Sequence, residues 1–415
     1  MSISYSWYYD MKIKVLVTGI GIISSAGKDP EECWENLIKG ESMAQPDSRL
    51  EGLDISWSCP IKEFTPSKYL RKSLIWRSDP FIQYALYAAK QAIEDSKLDL
   101  NNPDYRVGIV IGNSLGGITS LEILNTRAEK EGIGSIGSVY LLSTMGSMAQ
   151  GNIAIEFGIK GVTYQINTAC ASGGDAIGIG KMLIETNVCD IVLAGGSEAP
   201  ITPLVVSSFS KIGALSKNKN LNFSSRPFDG ERDGFVISEG AAFLVLEKET
   251  TALKRKAKIY ASLTGYGSAN DAYHITSPSP EGQGLSNAIN LALKDSSLKP
   301  EDIDCINAHG TSTPMNDLIE SNVIYSIFNK KPYITSTKGV TGHSLAASGA
   351  LEAVFSVLKI HKCEIPPVAG LKNIDEEIKT NIITKPLKSP KIKHVLSSSL
   401  GFGGHNAALI FSKYD

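Results

Sequence analysis

The sequence has no Cys-x-x-C pair, no His-Glu-x-x-His segment and no hydrophobic run long enough to span a bilayer. Each absence removes a class of protein. Six cysteines (Cys33, Cys59, Cys170, Cys189, Cys305 and Cys363) spread over 415 residues cannot supply the dense cross-linking of a small secreted domain. All but Cys170 read as small buried apolar side chains in a reducing compartment. The six histidines lack the spacing of the common zinc sites, so no metal is expected. Charge of one sign is also scarce. The 41 Lys and Arg against 43 Asp and Glu leave −2 overall, which gives no electrostatic footprint for nucleic acid or an anionic membrane. The first ten residues, MSISYSWYYD, have neither the basic start nor the apolar stretch of a signal peptide. They precede Met11, and residues 1–11 read as a loose arm or an upstream start. The expectation is a soluble, cytoplasmic protein.

What is present is alternation. Residues 12–19 (KIKVLVTG), 106–112 (RVGIVIG), 189–195 (CDIVLAG) and 241–246 (AAFLVL) are short β-branched runs of the kind found in buried strands. Residues 80–97 carry apolar side chains at helical spacing, and 168–183 is rich in Gly and Ala, predicting a closely packed helix after a turn. The same alternation returns towards the C-terminus. There 259–266 is strand-like, 284–296 is helical, 304–308 is strand-like and ends at His-Gly, and a strand–loop–helix passage covers 333–353. Strands alternating with helices predict an α/β fold with buried sheets. The charged segment 247–258 marks the boundary between an N-terminal half, 12–255, and a C-terminal half, 256–415. Periodicity alone does not make those halves copies of each other.

Three segments carry chemistry. Cys170 lies in Asn167-Thr168-Ala169-Cys170-Ala171-Ser172-Gly173-Gly174, where a strand-like run meets small residues. A cysteine on such a turn presents an exposed sulfur, and the following helix N-terminus would favour thiolate below the free value of about 8.5. Backbone N–H groups there can also hold an oxyanion. His309, in Asn307-Ala308-His309-Gly310-Thr311-Ser312-Thr313, and His343, in Lys338-Gly339-Val340-Thr341-Gly342-His343-Ser344, stand at element ends among Gly, Ser and Thr, where functional residues collect.

The blocks TACASGGDAIG, NAHGTST, STKGVTGHSLAASGALE and GFGGHNAALIF resemble the signature segments of the β-ketoacyl-acyl-carrier-protein synthases. The nearest branch is similar to synthase II and the catalytic ketosynthases of type II polyketide systems. SRPFDGERDGFVISEGAAFLVLE and DAYHITSP match too, so the resemblance runs from about residue 12 to 411. It implies a thiolase-like fold, two similar halves in five αβαβα layers, in a homodimer or a heterodimer with a related chain-length subunit. It implies an acyltransferase in fatty-acid or polyketide biosynthesis. Cys170 would carry the acyl chain, and His309 and His343 would hold the malonyl thioester carbonyl through Nε2–H as carbon dioxide leaves. Such a reaction suits a thiolate, which is both nucleophile and leaving group, and needs no metal if fixed donors take up the enolate charge.

The resemblance assigns further residues one at a time. Lys338 would order the site, with Glu320 as its acidic partner and Glu352 as a supporting carboxylate near the histidines. Thr311 and Thr313 would contact the carrier's pantetheine arm. The N–H groups of Cys170 and Phe402 would form the oxyanion hole, and Phe402, between Gly401 and Gly403, would gate the acyl pocket. Leu115 and Phe209 would line or cap that pocket. Arg71, Lys72, Arg77, Arg127 and Lys211 are docking candidates for an acidic acyl carrier protein. No cofactor is expected beyond the phosphopantetheine that the carrier brings. Two departures stand out: His405 replaces the threonine usual in GFGGTN, and CASG replaces the commoner CTSG. Fatty-acid and polyketide features are mixed, so pathway, acyl length and partner subunit stay open.

Three other readings are weaker. An oxidoreductase would use Gly19-x-Gly21, but Ser24 occupies the third glycine's place and no Tyr-x-x-x-Lys pair follows. A non-catalytic chain-length subunit would usually lack the Cys170, His309 and His343 combination. A thiolase or a synthase III type enzyme shares the fold, but the block spacing suits neither.

Overall fold

Val15–Ser24 (β1) is buried at every position, as a strand covered on both faces must be. Its neighbours organise the molecule in a computed structural model that describes residues 13–388 and 391–415. The arm expected over residues 1–11 lies outside the described residues. On one side β1 runs antiparallel to Gly240–Lys248 (β5). Beyond that come Ile191–Glu198 (β4), Val107–Gly112 (β2) and, at the edge, Thr163–Ile166 (β3). On the other side β1 meets Ala261–Asn270 (β6) only through Leu16↔Ser262 and Val17↔Ala261. There follow His405–Ser412 (β10), His394–Gly401 (β9), Cys305–Asn307 (β7), Tyr333–Thr335 (β8) and the short strand Asn381–Ile382.

The two runs have one topology. In each, the first strand is antiparallel to the fifth, the fifth to the fourth, and the second and third continue parallel to the fourth. The order 1-5-4-2-3 recurs as 6-10-9-7-8. Periodicity could not show this repeat because it resides in pairing. Between the runs, β5 ends at Lys248, the short helix Glu249–Lys254 follows, and β6 opens at Ala261.

Helices fill equivalent places. Pro80–Ser96 (α1) packs on β1 and Gln283–Ser296 (α3) packs on β6. Asp79 starts α1 by accepting from the Phe81 N–H at 3.1 Å, with Pro80 at the first helical position. Ser172–Glu185 (α2) joins β3 to β4, and Ser348–Lys362 (α5) joins β8 to β9; these two pack on each other. Alternation along the strands makes the layers. Ile109 and Ile111 of β2 face the cluster containing α1, whereas Val110 faces the one built on α2 and α5. In the second half Ile306 and Leu396 face α3, while Cys305 and Val395 face α5. Helix, sheet, paired helices, sheet, helix is the resulting order.

Glycines permit the outer contacts. A Cβ on Gly19 or Gly21 would collide with the carbonyls of Ala92 and Ala88 on α1, and one on Gly265 or Gly267 with those of Ala292 and Ala288 on α3. Gly19-x-Gly21 therefore lies inside a strand and seats a helix; it is not a loop that cradles phosphate.

Candidate active site

The turn before α2 and the turn before α5 are built alike. Ala169 and Leu345 both have positive φ, 50° and 48°, a conformation that costs a non-glycine residue about 1–2 kcal/mol. The Thr168 N–H donates to Ser172 Oγ at 2.9 Å, and the Ser344 N–H to Ser348 Oγ at 3.2 Å. Cys170 thus stands where the second half has Ala346, and His343 stands where the first half has Asn167. Only one of the two elbows carries a nucleophile.

Cys170 is half-buried against an apolar cluster that includes Val206 and Leu345. Burial pushes its thiol up to about 12, while the Lys338 charge and the N–H groups of Phe402 and of Cys170 itself pull it down. Burial thus opposes the thiolate that the helix N-terminus was expected to favour. The two amides on the sulfur are those expected to form the oxyanion hole.

His309 follows β7 and is almost wholly buried. Lys338 Nζ donates to its carbonyl oxygen at 2.6 Å and meets its Nδ1 at 3.2 Å. An ammonium has no lone pair, so Nδ1 must accept and the imidazole proton resides on Nε2. His343 Nδ1 lies 2.9 Å from Ser348 Oγ, which also accepts from the Ser344 amide and meets the Ser344 hydroxyl at 3.2 Å. The two rings meet edge to face with centroids 5.2 Å apart, and Phe235 supports His343 from its other side at 5.0 Å. Burial first, and Lys338 second, hold both histidines well below 6.5. They are neutral hydrogen-bond donors.

The carboxylates exchange their expected parts. Lys338 pairs with Glu352, and both are buried. Glu320, on Pro314–Phe328 (α4), instead accepts the backbone N–H groups of His309 and Gly310 at 2.7 and 2.8 Å, and the Ser398 hydroxyl at 2.7 Å. Glu320 therefore shapes the loop that carries His309, and Glu352 balances the lysine. Burial raises both carboxyls, Glu352 to about 7.

A cavity of about 390 Å³ brings together Cys170, His309, His343, Thr311, Thr313, Phe209 and Phe402. The Thr311 and Thr313 hydroxyls lie 2.8 Å apart. Phe402 is 37% exposed and its ring meets Phe209 at 6.1 Å. Gly403 and Gly404 take φ of 83° and 76°, which glycine adopts at little cost. The Gly403 N–H donates to the Ile275 carbonyl at 2.7 Å, tying the Phe402 loop to the DAYHITSP segment.

Other expected residues fall elsewhere. Leu115 is not among the residues lining this cavity: its amide donates to Glu198 and its side chain is 39% exposed. Lys211 adjoins the lining residue Ile212, but Arg71, Lys72, Arg77 and Arg127 do not line the cavity. Arg71 pairs with Glu156 and Arg127 with Glu131. Two residues that the sequence did not single out also shape the site. Ser348 meets the His343 Nδ1, and Asp317 accepts the Ser312 and Phe228 amides beneath the threonines. Asp317 and Glu320 stand at i, i+3 on one face of this helix, a signal that could have paired them.

The chain's relatives agree with this geometry. The β-ketoacyl synthase N-terminal domain family matches residues 12–252 and the C-terminal domain family residues 260–372. A 3-oxoacyl-[acyl-carrier-protein] synthase 2 of Staphylococcus aureus (strain MRSA252) is 38% identical over 409 residues, 97% of this chain and 99% of that one. One of Synechocystis sp. is 39% identical over 411 residues, again 97% and 99%. Among solved structures, the ishigamide ketosynthase/chain length factor superposes with a TM-score of 0.92 at 31% identity, covering 97% of this chain and 100% of that one. A type II PKS ketosynthase, solved with its acyl-carrier protein and bound to the hexaketide, gives 0.91 at 33%, covering 98% and 100%. The chain is a thiolase-like acyltransferase and belongs to the β-ketoacyl synthase family.

Proposed function

We propose that this chain joins an acyl group held on Cys170 to malonyl-acyl-carrier protein, releasing carbon dioxide and β-ketoacyl-carrier. The observation that carries this reading is the convergence of Cys170, His309 and His343 on one cavity, with both imidazoles held neutral. In the first half-reaction Cys170 exchanges with an acyl-carrier thioester: the S–C bond to the sulfur forms, that to the carrier breaks, and the thiol proton leaves on the carrier. The Cys170 and Phe402 amides receive the oxyanion of the tetrahedral intermediate. In the second, the malonyl carboxylate leaves as carbon dioxide and its bonding pair becomes an enolate. The Nε2–H groups of His309 and His343 stabilise that oxygen only as charge develops, so they lower the barrier rather than merely tighten binding. The enolate carbon attacks the Cys170 thioester. Collapse expels the thiolate, which takes up one proton.

Thr311 and Thr313, at the cavity wall, fit the amide-rich pantetheine arm, and Lys211, beside the mouth, suits an acidic carrier. A second copy or a related subunit would cover the edge strand β3, where Thr163 and Tyr164 are exposed. Ile155, on the helix packed on that strand, is 74% exposed, and Leu141 and Met145, in and just after the preceding helix, are 60% and 48% exposed, which supports that face as an interface. No helix among the described residues is long and apolar enough to cross a membrane, in keeping with work in the cytoplasm. The synthase 2 relatives favour fatty-acid elongation by this chain without a chain-length subunit. A polyketide ketosynthase working with a chain-length subunit is the second reading, favoured by the segments SRPFDGERDGFVISEGAA and ITPLVVSSF and by the ketosynthase/chain length factor neighbour. Incubation with labelled malonyl-carrier and a series of acyl-carriers tests both. β-Ketoacyl-carrier formed by the chain alone supports elongation. Product only with an added partner subunit supports the second reading, and none in either case overturns both.

A further inference from the structure

Lys359 is fully buried on α5. A lysine on an amphipathic helix ordinarily extends into water, and a desolvated ammonium persists only with partners. Its Nζ donates to Asn307 Oδ1 at 2.5 Å. Asn307 is the last residue of β7, two before His309. Seven residues earlier on the same face of α5 stands Glu352, the partner of Lys338. Glu352 thus feels two cations, Lys338 by direct contact and Lys359 through space. Among the described residues, Glu352 Oε2 and Asn307 Nδ2 are buried and lack a hydrogen-bond partner, so neither group is held from any other direction at that atom.

We infer that Lys359 is a positioning residue for the decarboxylating half-reaction, anchoring Asn307 and sharing the charge of Glu352 so that Lys338 keeps its bond to His309 Nδ1. The inference rests on the role given above to His309 and His343. Without Lys359, Glu352 faces a single cation and draws Lys338 towards itself. The Nδ1 acceptor then loses its donor, and the tautomer that directs Nε2–H into the cavity is no longer enforced. Asn307, released, loosens the strand end that leads into His309. The elbow that carries Cys170 depends on neither contact. The charged and titratable groups facing Lys359 are Glu352 on its own helix and Cys305 on β7, with Lys338 and Glu320 beyond Glu352. Burial brings the Lys359 ammonium down to about 8, so its charge is present below that pH and fades above it.

Lys359→Met, near in volume, tests this by separating the half-reactions. Acyl transfer from acyl-carrier to Cys170 is read by intact mass, and carbon dioxide release from malonyl-carrier by rate against concentration and pH. The expected result is acyl transfer at the wild-type rate and decarboxylation slowed by about 10- to 100-fold in kcat at unchanged KM. The wild-type fall in decarboxylation near pH 8 should vanish in the variant. Asn307→Ala, which keeps the ammonium, should give the same split to a smaller degree, and decides the matter if Lys359→Met does not fold. Equal loss of both half-reactions, or no loss of either, overturns the inference. Wild-type protein that acylates Cys170 yet releases no carbon dioxide overturns the histidine assignment itself.

Discussion

Lys338 Nζ reaches His309 twice, at 2.6 Å to its carbonyl oxygen and 3.2 Å to its Nδ1, while its charge is matched by the buried Glu352. One ammonium thereby fixes the backbone, the ring orientation and the tautomer of a single residue. Its positive charge also helps to keep both histidines neutral. The consequences of removing it are specific.

Lys338→Met leaves Glu352 buried with its direct ion-pair partner gone. Breaking a buried pair from one side costs about 3–5 kcal/mol, measurable as a lower urea midpoint. Lost control of the His309 donor should slow malonyl decarboxylation by about 10²–10³-fold. Unchanged decarboxylation in folded variant would remove Lys338 from the mechanism.

His343→Ala deletes one of the two enolate donors but no atom of the acyl-transfer elbow. Carbon dioxide release should fall by about 10²–10³-fold, while acylation of Cys170 by an acyl-carrier thioester proceeds. Stopped-flow or quenched single turnovers of each step check this. Equal loss in both would contradict the division of labour.

Both histidines titrate well below 6.5 because burial and Lys338 disfavour a second positive charge. A lowered pKa moves the acid limb to lower pH. Decarboxylation by His309 and His343 should therefore show no inflection of histidine type between about pH 6 and 7, with any acid loss lying below that range. A single-turnover pH profile with a half-point near 6.5 would show that the imidazoles are not held neutral.

Gly21→Ala places a methyl group against the Ala88 carbonyl of α1. Overpacking of this kind costs about 1–3 kcal/mol, and denaturant unfolding should report it. Nicotinamide dinucleotides should neither stabilise the wild type nor lose affinity in the variant. A wild-type melting temperature raised by such a dinucleotide would revive the phosphate-loop reading of Gly19-x-Gly21.

Much of the fold was legible because its strands are buried on both faces, so β-branched runs such as 106–112 and 241–246 stand out from their surroundings. The helix after Cys170 was legible from its small residues, which its packing against α5 requires: a Cβ on Gly173 would sit 2.8 Å from the Ala350 backbone nitrogen. Cys170, His309 and His343 could be named because each stands in a distinctive segment at an element end. Their supporting charges could not be sorted. Glu320 and Glu352 are both acidic residues on helices, and which one meets Lys338 depends on how α4 and α5 are set around β7. Nothing in the sequence singles out Lys359, since sequence reports its spacing but not that its face is covered. The burial that opposes the Cys170 thiolate was hidden for a related reason: the helix N-terminus is a local feature, whereas desolvation comes from distant residues.

The central claim is that Cys170 carries the acyl chain, and intact mass spectrometry of the protein incubated with acyl-carrier thioesters tests it most directly. Wild-type protein should gain the mass of one acyl group, lost again on adding malonyl-carrier, and Cys170→Ala, shown to be folded by its unfolding transition, should gain none. Equal acylation of Cys170→Ala would place the nucleophile elsewhere and contradict the account.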